Sequence, residues 1–183
     1  MDKKLISICI PILNEQENIE LIYKKVTSIF DKLKDKYYYE LIFTDNNSSD
    51  KSFEIIKKLN QSDKNVKCYS FSNNIGKERS LLNGYKLANG SAAIQLDCDL
   101  QDPPELIDEF IKKWEEGYDY IYAVRTNRKE NFILKNLRKV FYRLINFLSY
   151  SKLKNDVGDF SLIDKKIIDI IKTIDERDTY LRG

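Results

Sequence analysis

Ala92-Ala93-Ile94-Gln95-Leu96-Asp97-Cys98-Asp99-Leu100-Gln101-Asp102-Pro103-Pro104-Glu105 is the stretch from which the fold is read. A short apolar run stops at two aspartates one residue apart, and a proline pair follows. An apolar run of this length bounded by polar residues predicts a buried strand. Asp102-Pro103-Pro104-Glu105 then reads as a helix start, with Asp102 as N-cap, proline at the first helical position and Glu105 completing a capping box. Strand, acidic loop and helix form the repeating unit of an α/β protein. In an extended segment, side chains at i and i+2 point the same way, so Asp97 and Asp99 are expected to converge on one cation. Hard cations such as Mg²⁺ or Mn²⁺ take oxygen ligands and share their coordination shell with phosphates.

Working outward, apolar runs at 5–10, 40–44, 66–71, 92–96 and 118–124 alternate with amphipathic stretches at 15–33, 52–60, 77–88 and 104–115. This rhythm predicts an α/β fold, a Rossmann-like, mostly parallel sheet with helices on both faces. Ligands of such sheets bind at the carboxyl ends of the strands. Polar clusters follow the first, second and fourth strands: Asn14-Glu15, Asp45-Asn46-Asn47-Ser48-Ser49-Asp50 and the 97–102 acids. Asn14 with Glu17 also reads as a cap for the first helix. Gly76-Lys77 opens the third helix, whose N-terminal end can hold a phosphate, although the spacing is not that of a P-loop. Further on, 158–163 reads as a short strand and 164–174 as a helix.

The 183 residues suit one domain over 1–183 with a proper core. No apolar run approaches the ~20 residues that span a bilayer. The chain has no histidine, so acid–base and metal chemistry fall to carboxylates, amides, lysine and arginine. Cys9, Cys68 and Cys98 are odd in number, widely spaced and in apolar settings, which predicts reduced thiols and a cytoplasmic location. Between Arg125 and Lys154 nine basic residues face one acid, a local net charge of +8 in a chain whose total is +2. Within that segment, about 131–150, Phe and Leu share one helical face, while Lys135, Arg138, Lys139 and Arg143 share the other. This is the pattern of an amphipathic helix attracted to an anionic membrane surface. The basic patch backs an apolar face, so nucleic acid is not an expected partner.

Taken together, Pro11-Ile12-Leu13-Asn14-Glu15, residues 45–50, Asn74-Ile75-Gly76-Lys77, residues 97–105, Ala123-Val124-Arg125 and Gly158-Asp159-Phe160 resemble the family 2 glycosyltransferases. The nearest branch is that of the polyprenyl-phosphate glycosyltransferases related to dolichyl-phosphate mannose synthase. The resemblance implies a GT-A fold, a UDP- or GDP-linked sugar donor, Mg²⁺ or Mn²⁺, and inversion at the anomeric carbon. It assigns the metal to Asp97, Asp99 and Gln101, and the nucleotide sugar to Pro11, Leu13, Glu15, Asp45, Lys77 and Asp97. The acceptor phosphate falls to Arg125, Arg138 and Arg182, and the catalytic or orienting role to Asp159 with Arg125. The family often has Asp-Asp-Gly-Ser-x-Asp where this chain has Asp45-Asn46-Asn47-Ser48-Ser49-Asp50. Relatives commonly carry two C-terminal transmembrane helices that this chain lacks. It reads as the soluble part of a longer membrane enzyme or as a naturally short form.

The expected activity is therefore transfer of a sugar to a polyprenyl phosphate at the cytoplasmic membrane face, by a peripheral protein whose self-association is left open. Two alternatives stand beside it: transfer to a sugar hydroxyl in capsule or cell-wall synthesis, and a non-catalytic nucleotide-sugar-binding module.

Overall fold

The computed structural model describes residues 2–124 and 157–174. The basic segment, with Arg125, Arg138 and Lys139, and the terminal Arg182 lie outside the described residues. In chain order the elements are β1 (Lys4–Ile12), α1 (Ile19–Leu33), β2 (Tyr37–Asp45), α2 (Ser52–Ser62), β3 (Val66–Ser70), α3 (Lys77–Leu87) and β4 (Ala92–Gln95). A 3-10 turn (Pro104–Leu106) leads into α4 (Ile107–Glu115), followed by β5 (Tyr120–Val124), β6 (Val157–Asp164) and α5 (Lys165–Thr173).

The strands form one sheet in the order β3-β2-β1-β4-β6-β5. Neighbours from β3 to β4 are parallel, whereas β6 runs antiparallel between β4 and β5. The mostly parallel sheet is as expected, and the inserted antiparallel strand has a consequence for the site. The central strand β1 is buried on both faces, as a strand flanked by crossover helices must be. Ile6, Ile8, Ile10 and Ile12 point into a core shared with Val26 and Phe30 of α1, Ile56 of α2 and Phe110 of α4. Cys9 points the other way, into a second core with Leu81 and Tyr85 of α3 and Ile168 and Ile171 of α5. Helices thus cover both faces. No helix among the described residues is long and apolar enough to cross a membrane.

Two locks hold the frame. Asp164 caps α5, accepting from the Lys166 amide at 2.9 Å, and also accepts from Trp114 Nε1 of α4 at 2.6 Å. The other lies at the amino ends of the strands, around Glu40, buried on β2. Its Oε1 accepts from Ser7 Oγ at 2.6 Å and from the Asn89 amide at 2.7 Å, and it is ion-paired with Lys67 of β3. Ser7 Oγ in turn accepts from the Gly90 amide at 2.9 Å. One carboxylate therefore ties β1, β2, β3 and the turn into β4 together. Burial works to raise its pKa, but the bonds from Lys67, Ser7 and Asn89 outweigh burial and hold it below the ordinary range.

The capping expectation shifts by one position. Pro103 occupies the N-cap position of the 3-10 turn, and Asp102 precedes it, buried. Asn14 does not cap α1, which begins after Asn18.

Candidate active site

Three loops leave the carboxyl ends of β1, β2 and β4, and each contains a non-glycine residue in the left-handed region: Asn14 (φ 56°), Asn47 (φ 62°) and Leu100 (φ 59°). Such backbones are uncommon outside glycine and cluster where a fold holds functional groups. The first two loops are bound to each other. The Asn14 amide donates to Ser48 Oγ at 2.9 Å, and the Ser49 amide donates to Asn14 Oδ1 at 2.8 Å. The Glu15 amide donates to Ser52 Oγ at 2.8 Å, and the Glu15 carboxylate accepts from Asn18 Nδ2 at 2.7 Å. Leu13 stands exposed beside them, and Pro11 is half-buried at the end of β1.

This geometry accounts for both departures from the family motif. Asn47 stands where the family carries glycine, at a position that needs positive φ, and asparagine is among the residues best suited to replace it there. Asn46 is buried, and its Oδ1 accepts from the Ile75 amide at 2.8 Å. A carboxylate oxygen at that position would accept the same bond, so the amide preserves the tie between β2 and the loop before α3. Replacing Asn47 with valine, which resists the left-handed region, is expected to destabilise the protein by about 1–3 kcal/mol, whereas glycine is tolerated. Thermal melts of both variants check this.

Asp45 ends β2 and is only 1% exposed. Its Oδ2 accepts from Ser70 Oγ at 2.9 Å, and the Ser48 amide approaches both oxygens at 3.3 and 3.4 Å. Here it braces the 46–50 loop against β3.

The fourth strand ends at Gln95, two residues before Asp97, and the chain turns at Cys98-Asp99. Asp97 and Asp99 therefore do not lie on one extended segment, and the expected i, i+2 alignment does not hold. Instead Asp99 is exposed and its Oδ1 accepts from the Gln101 amide at 3.1 Å, while Leu100 packs against the core and anchors the turn.

Asp97 meets different partners. Lys77, the first residue of α3, places its Nζ 2.6 Å from Asp97 Oδ2 and 2.9 Å from Asp159 Oδ2. The antiparallel entry of β6 brings Asp159 here. Gln95 at the end of β4 pairs with Ser161, so the chain leaving β4 and the residues before Ser161 on β6 bring 97 and 159 toward one another. Phe160 is fully buried and stacks with Phe110 at 4.7 Å, anchoring that end of β6. Asp97 Oδ1 is buried without a hydrogen-bond partner. Burial, joined by the charges of Asp159 and Asp99, pushes the Asp97 carboxyl up despite the opposing pull of Lys77. Burial also works against the Lys77 ammonium, but its bonds to Asp97 and Asp159 prevail and raise its pKa.

The structure thus unites Asp97, Lys77 and Asp159, and sets Pro11, Leu13, Glu15 and Asp45 around two neighbouring loops. The Lys77 bridge had no signal in the sequence beyond its place at a helix start, since the two carboxylates it spans lie 20 and 82 residues away.

Comparison with known proteins agrees with this architecture. The model of glycosyl transferase family 2 matches residues 7–171. The bactoprenol glucosyl transferase of Shigella phage SfV is 39% identical over 97% of this chain and 58% of its own length. The Bacillus subtilis glycosyltransferase YkcC is 40% identical over 97% of this chain and 54% of its own. The chain therefore spans somewhat more than half the length of these relatives. Among solved structures, mannosyl-3-phosphoglycerate synthase from Rubrobacter xylanophilus superposes with a TM-score of 0.67 at 16% identity, covering 90% of this chain and 54% of that one. Glucosyl-3-phosphoglycerate synthase from Mycobacterium tuberculosis, solved with Mn²⁺, UDP and glucosyl-3-phosphoglycerate, gives 0.59 at 19% identity, covering 90% and 58%. These likenesses establish the GT-A fold, and with the family match over nearly the whole chain they place this protein among the family 2 glycosyltransferases.

Proposed function

We propose that the protein transfers a sugar from a nucleoside-diphosphate sugar to a polyprenyl phosphate, with inversion and with Mg²⁺ or Mn²⁺, at the cytoplasmic membrane face. The observation that carries this is the meeting of Asp97, Lys77 and Asp159 at the ligand-binding edge of a family 2 sheet. The names of the relatives support a polyprenyl acceptor, with glucose as the first sugar to try.

The residues fit a hard cation. Asp97 has a buried oxygen without a protein partner, and Asp99 and Gln101 are exposed oxygen donors on the same turn. Among the described residues no three of His, Cys, Asp or Glu gather into a metal cage. Two carboxylates completed by substrate phosphates suit Mg²⁺ or Mn²⁺, which favour sites of that kind. When bound, such an ion neutralises the departing diphosphate as a Lewis acid. Lys77 stands ready to add a second positive charge on the phosphates. Leu13 and Glu15 line the base and ribose side, with Asp45 holding their loop partner in place.

In the reaction an acceptor phosphate oxygen forms a bond to the anomeric carbon as the bond to the donor diphosphate breaks on the opposite face. A phosphate monoester has a second pKa of about 6 and is largely dianionic at neutral pH, so it attacks without a base. No base is then needed, and Asp159 serves as an orienting charge for the positive charge that develops at the anomeric carbon. Arg125, Arg138 and Arg182 are proposed to grip the acceptor phosphate, for which arginine geometry is suited.

The test is calorimetric titration of UDP and GDP, each with and without Mn²⁺, followed by transfer to polyprenyl phosphate. One nucleotide should bind in a Mn²⁺-dependent way, and Asp99→Asn should weaken it at least about tenfold. Binding of neither would overturn the reading. Asp159→Asn should slow transfer to lipid phosphate by about tenfold. A loss of ~10²–10⁴, the range for a removed general base, would instead point to a sugar hydroxyl as acceptor.

A further inference from the structure

Lys77 holds two carboxylates at once, and this arrangement bears on how a cation and a donor enter the site. We infer that Lys77 is a displaceable counter-ion, which competes with the divalent cation for Asp97 and is drawn away by the donor's diphosphate. The inference rests on the metal-dependent donor reading above and adds an order of events to it.

The geometry has three parts. First, Asp97 is only half committed: Oδ2 is bound to the ammonium at 2.6 Å, while Oδ1 is buried with no partner. A cation that takes this carboxylate through both oxygens must dislodge Lys77. One that takes Oδ1 alone must sit close to a like charge, and like charges in a half-buried site repel strongly. Second, Lys77 has room to exchange partners. Its side chain is 43% exposed, it projects from the first turn of α3, and a Cβ on the preceding Gly76 would meet nothing within 4 Å. A lysine is a point charge on a flexible stem, suited to exchanging partners. Third, the alternative partner belongs to the reaction itself, since a diphosphate held beside Asp97 and Asp99 presents several anionic oxygens within the reach of that stem.

The same ammonium bonds Asp159 at 2.9 Å. When Lys77 turns toward the diphosphate it releases Asp97 to the cation and Asp159 to the acceptor side together. Donor and cation therefore bind cooperatively, and the acceptor-facing carboxylate is freed only after the donor has arrived. In this scheme Lys77 acts on the cation through Asp97, as a positioning residue whose effect is visible in binding alone.

The experiment measures Mn²⁺ binding to the whole chain by calorimetry or electron paramagnetic resonance, first without nucleotide and then with saturating UDP or GDP. Lys77→Met should bind Mn²⁺ alone at least about tenfold more tightly than the unaltered protein, within the usual span of coupling between two sites. The factor by which the nucleotide tightens Mn²⁺ binding should shrink in the variant. A second variant, Lys77→Gln, keeps a neutral hydrogen-bond donor toward the two carboxylates and reads the same difference should the methionine variant fold poorly. Mn²⁺ binding no tighter in either variant, with nucleotide binding still Mn²⁺-dependent, overturns the competition and leaves the donor reading standing. Absence of Mn²⁺ binding in every protein, with either nucleotide present, overturns both.

Discussion

Asp97→Asn is expected to lower sugar transfer by about 10³-fold while leaving the protein at least as stable. Asparagine keeps the shape of the side chain and an oxygen that can still accept from Lys77, so packing is preserved. What it removes is the negative charge that makes Asp97 a metal ligand and a partner for the ammonium. If a cation held there neutralises the leaving diphosphate, its loss withdraws about 4 kcal/mol of transition-state stabilisation. The stability side carries the opposite sign. Burial raises the Asp97 carboxyl, so the native state binds that proton more tightly than the unfolded chain does. Wherever the group is ionised in the native state it therefore detracts from stability, and a neutral amide relieves that cost. A melting temperature equal to or above that of the unaltered protein, together with a collapse in initial rate, is the expected pair of results. A rate within tenfold of the unaltered protein would take Asp97 out of the chemistry.

How much of this could be read in advance depends on whether the signal was local. The alternation of apolar runs with amphipathic stretches located five strands and their helices, because periodicity is a property of neighbouring residues. Strand limits moved where tertiary pairing extended them. β2 starts at Tyr37 because Tyr37, Tyr38 and Tyr39 pair with Lys4, Leu5 and Ile6, which no local pattern announces. The antiparallel insertion of β6 between β4 and β5 was also hidden, since its register with β4 joins residues some 70 positions apart. That insertion brings Asp159 to Asp97, a proximity that the resemblance alone did not explain. Asn46 and Asn47 looked like losses from a family motif. In the fold they are a positive-φ asparagine and a buried acceptor, both kept by backbone demands. The i, i+2 argument for Asp97 and Asp99 failed because it assumed an extended backbone beyond Gln95, where the chain in fact turns.

Glu40 went unnoticed for the same reason, and it carries the largest effect expected on stability. It looks like an ordinary strand residue after three tyrosines, yet its partners stand 27, 33 and 49 positions away. Glu40→Leu would strand the Ser7 hydroxyl and the Asn89 amide, two donors in protein interior, at about 1–3 kcal/mol each. It would also leave Lys67 without its counter-charge, although the Lys67 side chain is 32% exposed and water softens that loss. The sum, about 4 kcal/mol, is a large share of the ~5–15 kcal/mol that keeps a domain folded. The turn beside it is closely packed: a Cβ on Gly90 would lie 2.6 Å from the Ala92 carbonyl and 2.7 Å from Ser7 Oγ. Glu40→Gln isolates the charge, because its side-chain carbonyl still accepts from Ser7 and Asn89, and it should cost about 1–2 kcal/mol at pH 7. The sign with pH follows from the lowered carboxyl. Its stabilisation is fully present above the unfolded value of about 4.3 and disappears as pH falls through the folded one. Urea unfolding of the unaltered protein and Glu40→Gln should therefore differ at pH 7, and the difference should shrink as pH falls below about 4.3. A difference that persists unchanged at pH 3 would show that the charge of Glu40 is not what fastens the amino ends of the strands.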